Sequence, residues 1–179
     1  VDFPHTLDLA VKLGAVALKV CSGDVGYVAW IGHVAQAGLP VILDTGNATL
    51  GDIERAVEAV LAHEDRLVLH HGASGYPAHL ASTHLRMVTS LRQVFPEVVI
   101  GYSNRAIGRD VCVAAVALGA AMVEVDLTME RTASAGAEGL IALEPDEALG
   151  FVSAIRDIEL VDAAALLTQP LSGKWTQAA

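Results

Sequence analysis

The chain has 179 residues, a formal net charge of −10, and 53% hydrophobic but only 4% aromatic residues. That acidity argues against a nucleic-acid surface, which needs clustered Lys and Arg along the phosphates. No apolar run approaches the roughly 20 residues that span a bilayer, so the mean hydropathy of +0.48 reports buried strands and helices rather than a membrane segment.

Five apolar runs, each ending in polar side chains, recur at a spacing of roughly 25 residues, the pattern of strands alternating with helices. They are Val16–Val20 leading to Ser22, Pro40–Leu43 to Asp44-Thr45, Leu67–Leu69 to His70-His71, Val98–Gly101 to Tyr102-Ser103, and Met122-Val123 to Glu124-Val125-Asp126. A strand buried on both faces reads as continuously apolar, and its carboxyl end is where α/β proteins keep their chemistry. The polar residues are therefore expected to converge on one rim.

Helical segments lie between the runs. Thr49-Leu50-Gly51-Asp52 precedes Ile53, Ala56, Val57, Val60 and Leu61, so Thr49 is expected to cap a helix whose apolar stripe faces the sheet. Leu85, Val88, Leu91 and Val94 form the next stripe, and Ala-rich Ile107 to Gly119 suits a helix packed closely on strands. A further helix opens at Glu144-Pro145-Asp146-Glu147, with Pro and carboxylates in the first turn, and continues through Phe151, Ile155 and Ile158. The organisation expected is one α/β unit over residues 1–165 and a tail over 166–179. Two cysteines, Cys21 and Cys112, are too few for a disulfide framework and, with no secretory signal visible, point to the cytoplasm.

Six motifs carry a family resemblance: Lys19-Val20-Cys21-Ser22, Asp44-Thr45-Gly46, His71 to Pro77, Gly101-Tyr102-Ser103-Asn104-Arg105, Ala114 to Ala120 with Glu124 to Thr128, and Leu143 to Glu147. Their order and spacing resemble the sialic acid synthase family, which includes N-acetylneuraminate, legionaminate and pseudaminate synthases. The resemblance implies a TIM-barrel-type (β/α) repeat of which this sequence carries only the last five strands with their helices. A full (β/α)₈ barrel needs at least about 200 residues. Two unpaired edges would remain, so the expectation is a fragment completed by N-terminal strands, or a homo-oligomer in which a second copy supplies the wall.

The resemblance also implies a reaction: condensation of phosphoenolpyruvate with an N-acetylated amino-sugar aldehyde to give a nonulosonic acid. On it, Lys19, Ser22, Ser74, Tyr76 and Ser103 fall where the family binds phosphoenolpyruvate, and Glu124 falls on a site glutamate. The family holds manganese or magnesium with two histidines; the corresponding positions here are Arg105 and Asp126. Arginine has no lone pair to donate, which leaves Asp126 as the remaining metal-ligand candidate and Arg105 as a replacement charge at the aldehyde, paired with Asp126. His71 is the third candidate catalytic residue, because alternation sends one of His70 and His71 inward and the other toward the helices.

Each assignment has a plainer competitor. Lys19 could form a structural ion pair with Asp44, Ser22 and Ser103 could satisfy strand-end backbone, and Glu124 and Asp126 could bridge to Arg105 or Arg131. His70 reads as a core histidine, and Tyr76-Pro77 as a turn. Two other functions stay open: a non-catalytic relative that binds a phosphorylated metabolite or serves as a partner subunit, and an aldolase-like enzyme with Lys19 as a Schiff base.

Overall fold

The computed structural model of the chain describes residues 1–133 and 136–161; the expected tail 166–179 lies outside the described residues. Five parallel strands, β1 (Leu18–Val20), β2 (Val41–Asp44), β3 (Leu67–Gly72), β4 (Val99–Ser103) and β5 (Met122–Glu124), pair in sequence order. They curl into a half-barrel, an α/β arrangement that agrees with the repeat read from the apolar runs. The helices are α1 (Pro4–Lys12), α2 (Val28–Ala35), α3 (Leu50–Leu61), α4 (Met87–Val94), α5 (Asp110–Ala117), α6 (Ala137–Ile141) and α7 (Pro145–Val161). Among the described residues no helix is long and apolar enough to cross a membrane.

Local chemistry explains where these elements begin. The Thr49 hydroxyl accepts from the Asp52 backbone N–H at 3.2 Å while the Asp52 carboxylate accepts from the Thr49 N–H at 3.0 Å, a reciprocal cap that starts α3. Ile53, Ala56, Val57 and Val60 then face the core. Pro145 opens α7 with Asp146 and Glu147 in its first turn, where the helix dipole favours carboxylates.

The strand register divides the sheet into two faces. Leu18, Val41 and Leu67 lie side by side, as do Val20, Leu43, Leu69 and Ile100; all are buried and share the helix-covered face with His71 and Tyr102. The concave face carries Lys19, Ile42, Asp44, Val68, His70, Val99, Gly101, Ser103, Met122 and Glu124. Its two halves differ. At the amino ends, Val99 and Met122 remain 46% and 39% exposed, so the half-barrel interior is open there. At the carboxyl ends, polar side chains close on one another.

Candidate functional site

Lys19 projects from the middle of β1 onto the concave face, and its ammonium binds Glu124 from the far strand, β5, with Asp44 of β2 at 3.7 Å. The same Glu124 oxygen accepts from the Ser103 hydroxyl of β4 at 3.1 Å. One lysine therefore joins the two edges of the sheet across its concavity. Asp44 is fully buried and accepts a 2.6 Å hydrogen bond from Arg105 Nη2. Beyond β4, the Asn104 amide donates to the Ala106 and Gly108 carbonyls and its oxygen accepts from the Ala106 N–H, folding the loop that turns Arg105 back over the rim. There Arg105 Nη1 donates to the Ala73 carbonyl at 3.2 Å, and the guanidinium lies 5.1 Å from the Tyr76 ring centroid. Such a cation over an aromatic face is held electrostatically as well as by its hydrogen bonds.

Charge and burial set the protonation states. Burial alone would raise the Glu124 carboxyl, but the hydrogen bond and charge of Lys19, with smaller help from His70 and Ser103, outweigh it and hold Glu124 below the ordinary range. Asp126 moves the other way, because burial and then the neighbouring Glu124 charge both disfavour its ionised form. Burial depresses His70 and His71, so both imidazoles are neutral near pH 7. Two cations, Lys19 and Arg105, thus face two carboxylates, Asp44 and Glu124.

Of the residues singled out in the sequence, Lys19, Ser103, Glu124 and Arg105 meet in this cluster. Ser22 sits in the turn after β1, its Cβ 3.4 Å from where a side chain at Gly46 would begin, and Arg105 Nη1 is 3.5 Å from the same point. Tyr76 joins through Arg105. Ser74 is exposed and donates to the Asn47 side chain, one loop away. Asp126 lies beyond the end of β5 and shares no ion pair with Arg105; Arg105 instead reaches across the end of β3 to Asp44, the last residue of β2.

The two histidines exchange the places expected of them. His71 points toward the helices, where its Nε2 meets the Thr83 carbonyl at 2.7 Å and its ring lies 6.1 Å from Tyr102. His70 is the inward one, since its neighbours in register are Asp44 and Gly101, and Nδ1 lies 3.7 Å from Glu124 Oε2. The geometry therefore removes His71 from the site and adds His70 and Asp44. The signal for both was parity: inward residues share the register of Lys19, which neither histidine reveals without the pairing.

The residues present do not fit a divalent metal. Among the described residues no three His, Cys, Asp or Glu side chains converge as a ligand set. Asp126 shares its hollow with the Glu138 carboxylate but with no imidazole or thiolate among the described residues that line it, Glu124 is taken by Lys19, and the guanidinium of Arg105 fills the opposite corner. A cation brought to that corner would meet a fixed positive charge.

The sheet and its rim define a (β/α)-barrel protein with a charged site at the carboxyl ends of its strands. The chain belongs to the NeuB family, which matches residues 4–165. It is 32% identical over 162 residues to the N,N'-diacetyllegionaminic acid synthase of Legionella pneumophila, covering 88% of this chain and 45% of that protein. It is 28% identical over 159 residues to the human N-acetylneuraminate-9-phosphate synthase, covering 89% and 42%. The crystal structure of the sialic acid synthetase of Leptospira borgpetersenii, in complex with citrate, superposes with a TM-score of 0.87 at 28% identity, covering 97% of this chain and 59% of that one. A truncated 3-deoxy-D-arabino-heptulosonate 7-phosphate synthase of Thermotoga maritima shares the fold, with a TM-score of 0.67 at 17% identity. The chain spans about half the length of the curated relatives it matches.

Proposed function

We propose that the chain is part of a nonulosonic acid synthase that condenses phosphoenolpyruvate with an N-acetylated amino-sugar aldehyde. The observation that carries this reading is the convergence of Lys19, Ser103 and Glu124 on the concave face of a NeuB-family half-barrel. In the reaction, C3 of phosphoenolpyruvate attacks the aldehyde carbon, whose oxygen takes a proton. Water then adds at C2, and phosphate leaves as the 2-keto acid forms.

The residues divide the work by charge and by hydrogen atoms. Lys19 supplies a mobile cation for the phosphate, and the hydroxyls of Ser22, Ser74, Tyr76 and Ser103 are donors that fix its orientation. Arg105, held by Asp44, supplies a fixed positive charge where the aldehyde oxygen becomes negative. Glu124, ionised, is placed to accept and return the proton of the attacking water. No step requires a metal. A Schiff-base role for Lys19 is less well supported, since its neighbours are carboxylates rather than the cation or apolar pocket that activates such a lysine. The replacement of both metal histidines supports the second reading, a non-catalytic relative that keeps the anion cradle. The exposed Val99 and Met122 support a completing wall, from preceding strands or from a second copy.

The test is phosphate release from phosphoenolpyruvate by the full chain, with and without N-acetylmannosamine, in the presence of a chelator. Release that depends on the sugar and survives chelation supports the synthase; binding of phosphoenolpyruvate without release supports the non-catalytic relative; loss of turnover on chelation refutes the metal-free assignment.

A further inference from the structure

His70 takes no part in the chemistry above, yet it occupies the floor of the same cluster. It is 1% exposed, and among the described residues neither ring nitrogen has a hydrogen-bond partner. Native interiors seldom leave a buried polar group unsatisfied without a reason. Space for the ring is provided by Gly101 on the adjoining strand, where a Cβ would fall 2.5 Å from His70 Cδ2 and 2.8 Å from Nε2. The imidazole is therefore seated deliberately against β4, and its Nδ1 faces Glu124 Oε2 at 3.7 Å, just beyond hydrogen-bond distance.

The two oxygens of Glu124 are used unequally. Oε1 takes both Lys19 and Ser103, while Oε2 faces only the imidazole among the groups that pack around His70. The charged groups around the imidazole are Lys19 from β1, Asp44 from β2 and Glu124 from β5. An anionic ligand at the end of β1 competes for the Lys19 ammonium and the Ser103 hydroxyl, and a Glu124 carboxylate that loses them keeps neither of its donors. A half-buried carboxylate in that state needs a replacement donor. We propose that His70 is a positioning residue that takes over Glu124 when a phosphate-bearing ligand draws Lys19 away. The imidazole moves less than 1 Å, from 3.7 Å to about 2.9 Å, and donates its Nδ1–H to Oε2. Burial keeps the ring neutral, so the exchange moves no net charge across the site. This inference rests on the reading of Lys19 as the anion anchor.

The test uses the full chain with inorganic phosphate and phosphoenolpyruvate as probes. Nitrogen-15 histidine NMR of the wild type should show His70 settling into the Nδ1–H tautomer, its resonance moving in step with occupancy. By calorimetry, His70→Leu should bind both anions about tenfold more weakly, while His70→Asn, which returns an N–H near the Nδ1 position, stays within about threefold of wild type. A His70 resonance that ignores bound anion overturns the hand-over, and so does wild-type affinity in a folded His70→Leu. If the wild type binds neither anion, or Lys19→Met binds both as well as wild type does, the anchor reading itself fails and takes the hand-over with it.

Discussion

Replacing Asp44 by alanine should cost the fold more than any other single change at the rim. Asp44 is 0% exposed and Arg105 9% exposed, and they are joined by a 2.6 Å hydrogen bond, with Lys19 a further 3.7 Å away. Without Asp44 the guanidinium keeps the Ala73 carbonyl at 3.2 Å and the Tyr76 ring but no counter-charge in contact, and its Nε is already without a partner among the described residues. Removing one member of a buried ion pair leaves an uncompensated charge, a loss of about 3–5 kcal/mol, which is a large share of the roughly 5–15 kcal/mol that holds a domain folded. The pair itself is not the source of that stability. The double variant Asp44→Leu/Arg105→Met, which fills the same space without charge, should recover most of the loss. Urea unfolding followed by circular dichroism would measure all three chains. A loss below about 1 kcal/mol in Asp44→Ala, or a double variant that loses the sum of the singles, would refute the argument.

Gly101→Ala should destabilise by about 1–3 kcal/mol or more, because the added methyl meets the Met122 carbonyl oxygen at 2.8 Å as well as the His70 ring; unaltered unfolding would mean that the ring sits elsewhere. His70 and His71 both have folded-state pKa values below 6.5, so the unfolded chain takes up protons that the folded chain refuses as pH falls from 7 toward 5. Stability is then fully present above pH 6.5 and falls by up to about 1.4 kcal/mol per pH unit for each histidine; a melting temperature that holds level over that range would contradict their neutral burial. Thr49→Ala should lose about 1 kcal/mol by removing the α3 cap, and an equal loss in Thr49→Ser, measured the same way, would count against the capping hydroxyl.

The strands were legible because burial on both faces leaves no alternative to continuous apolar runs: Val41-Ile42-Leu43 and Leu67-Val68-Leu69 fall within β2 and β3. The Thr49 cap and the Pro145 start were legible because a helix terminus has few ways to satisfy its free N–H groups. Helix α2 had no comparable signal; Val28-Ala-Trp-Ile is apolar nearly all round, which hides its period. At the site, Lys19 stood out because a charge in an apolar strand needs a partner. Of its partners, Asp44 could be named from the sequence, whereas Glu124 could not, since that pairing spans 105 residues. The histidines were misassigned for a related reason. Alternation separates His70 from His71, but which of them faces inward is fixed by the β2–β3 register, a property of two strands rather than one. Asp126 was placed with Glu124 on a strand that ends at Glu124.

The matching of Lys19 and Arg105 against Asp44 and Glu124 has a kinetic consequence. A mouth whose charges cancel casts little field into solvent, so on a chain already at −10 it does nothing to steer an anion inward from afar. Capture must begin with unguided encounter and be decided at contact, by which visitor can displace a carboxylate from an ammonium. Ionic strength should therefore change association only weakly, and halide ions, with no oxygens to take the displaced donors, should compete poorly.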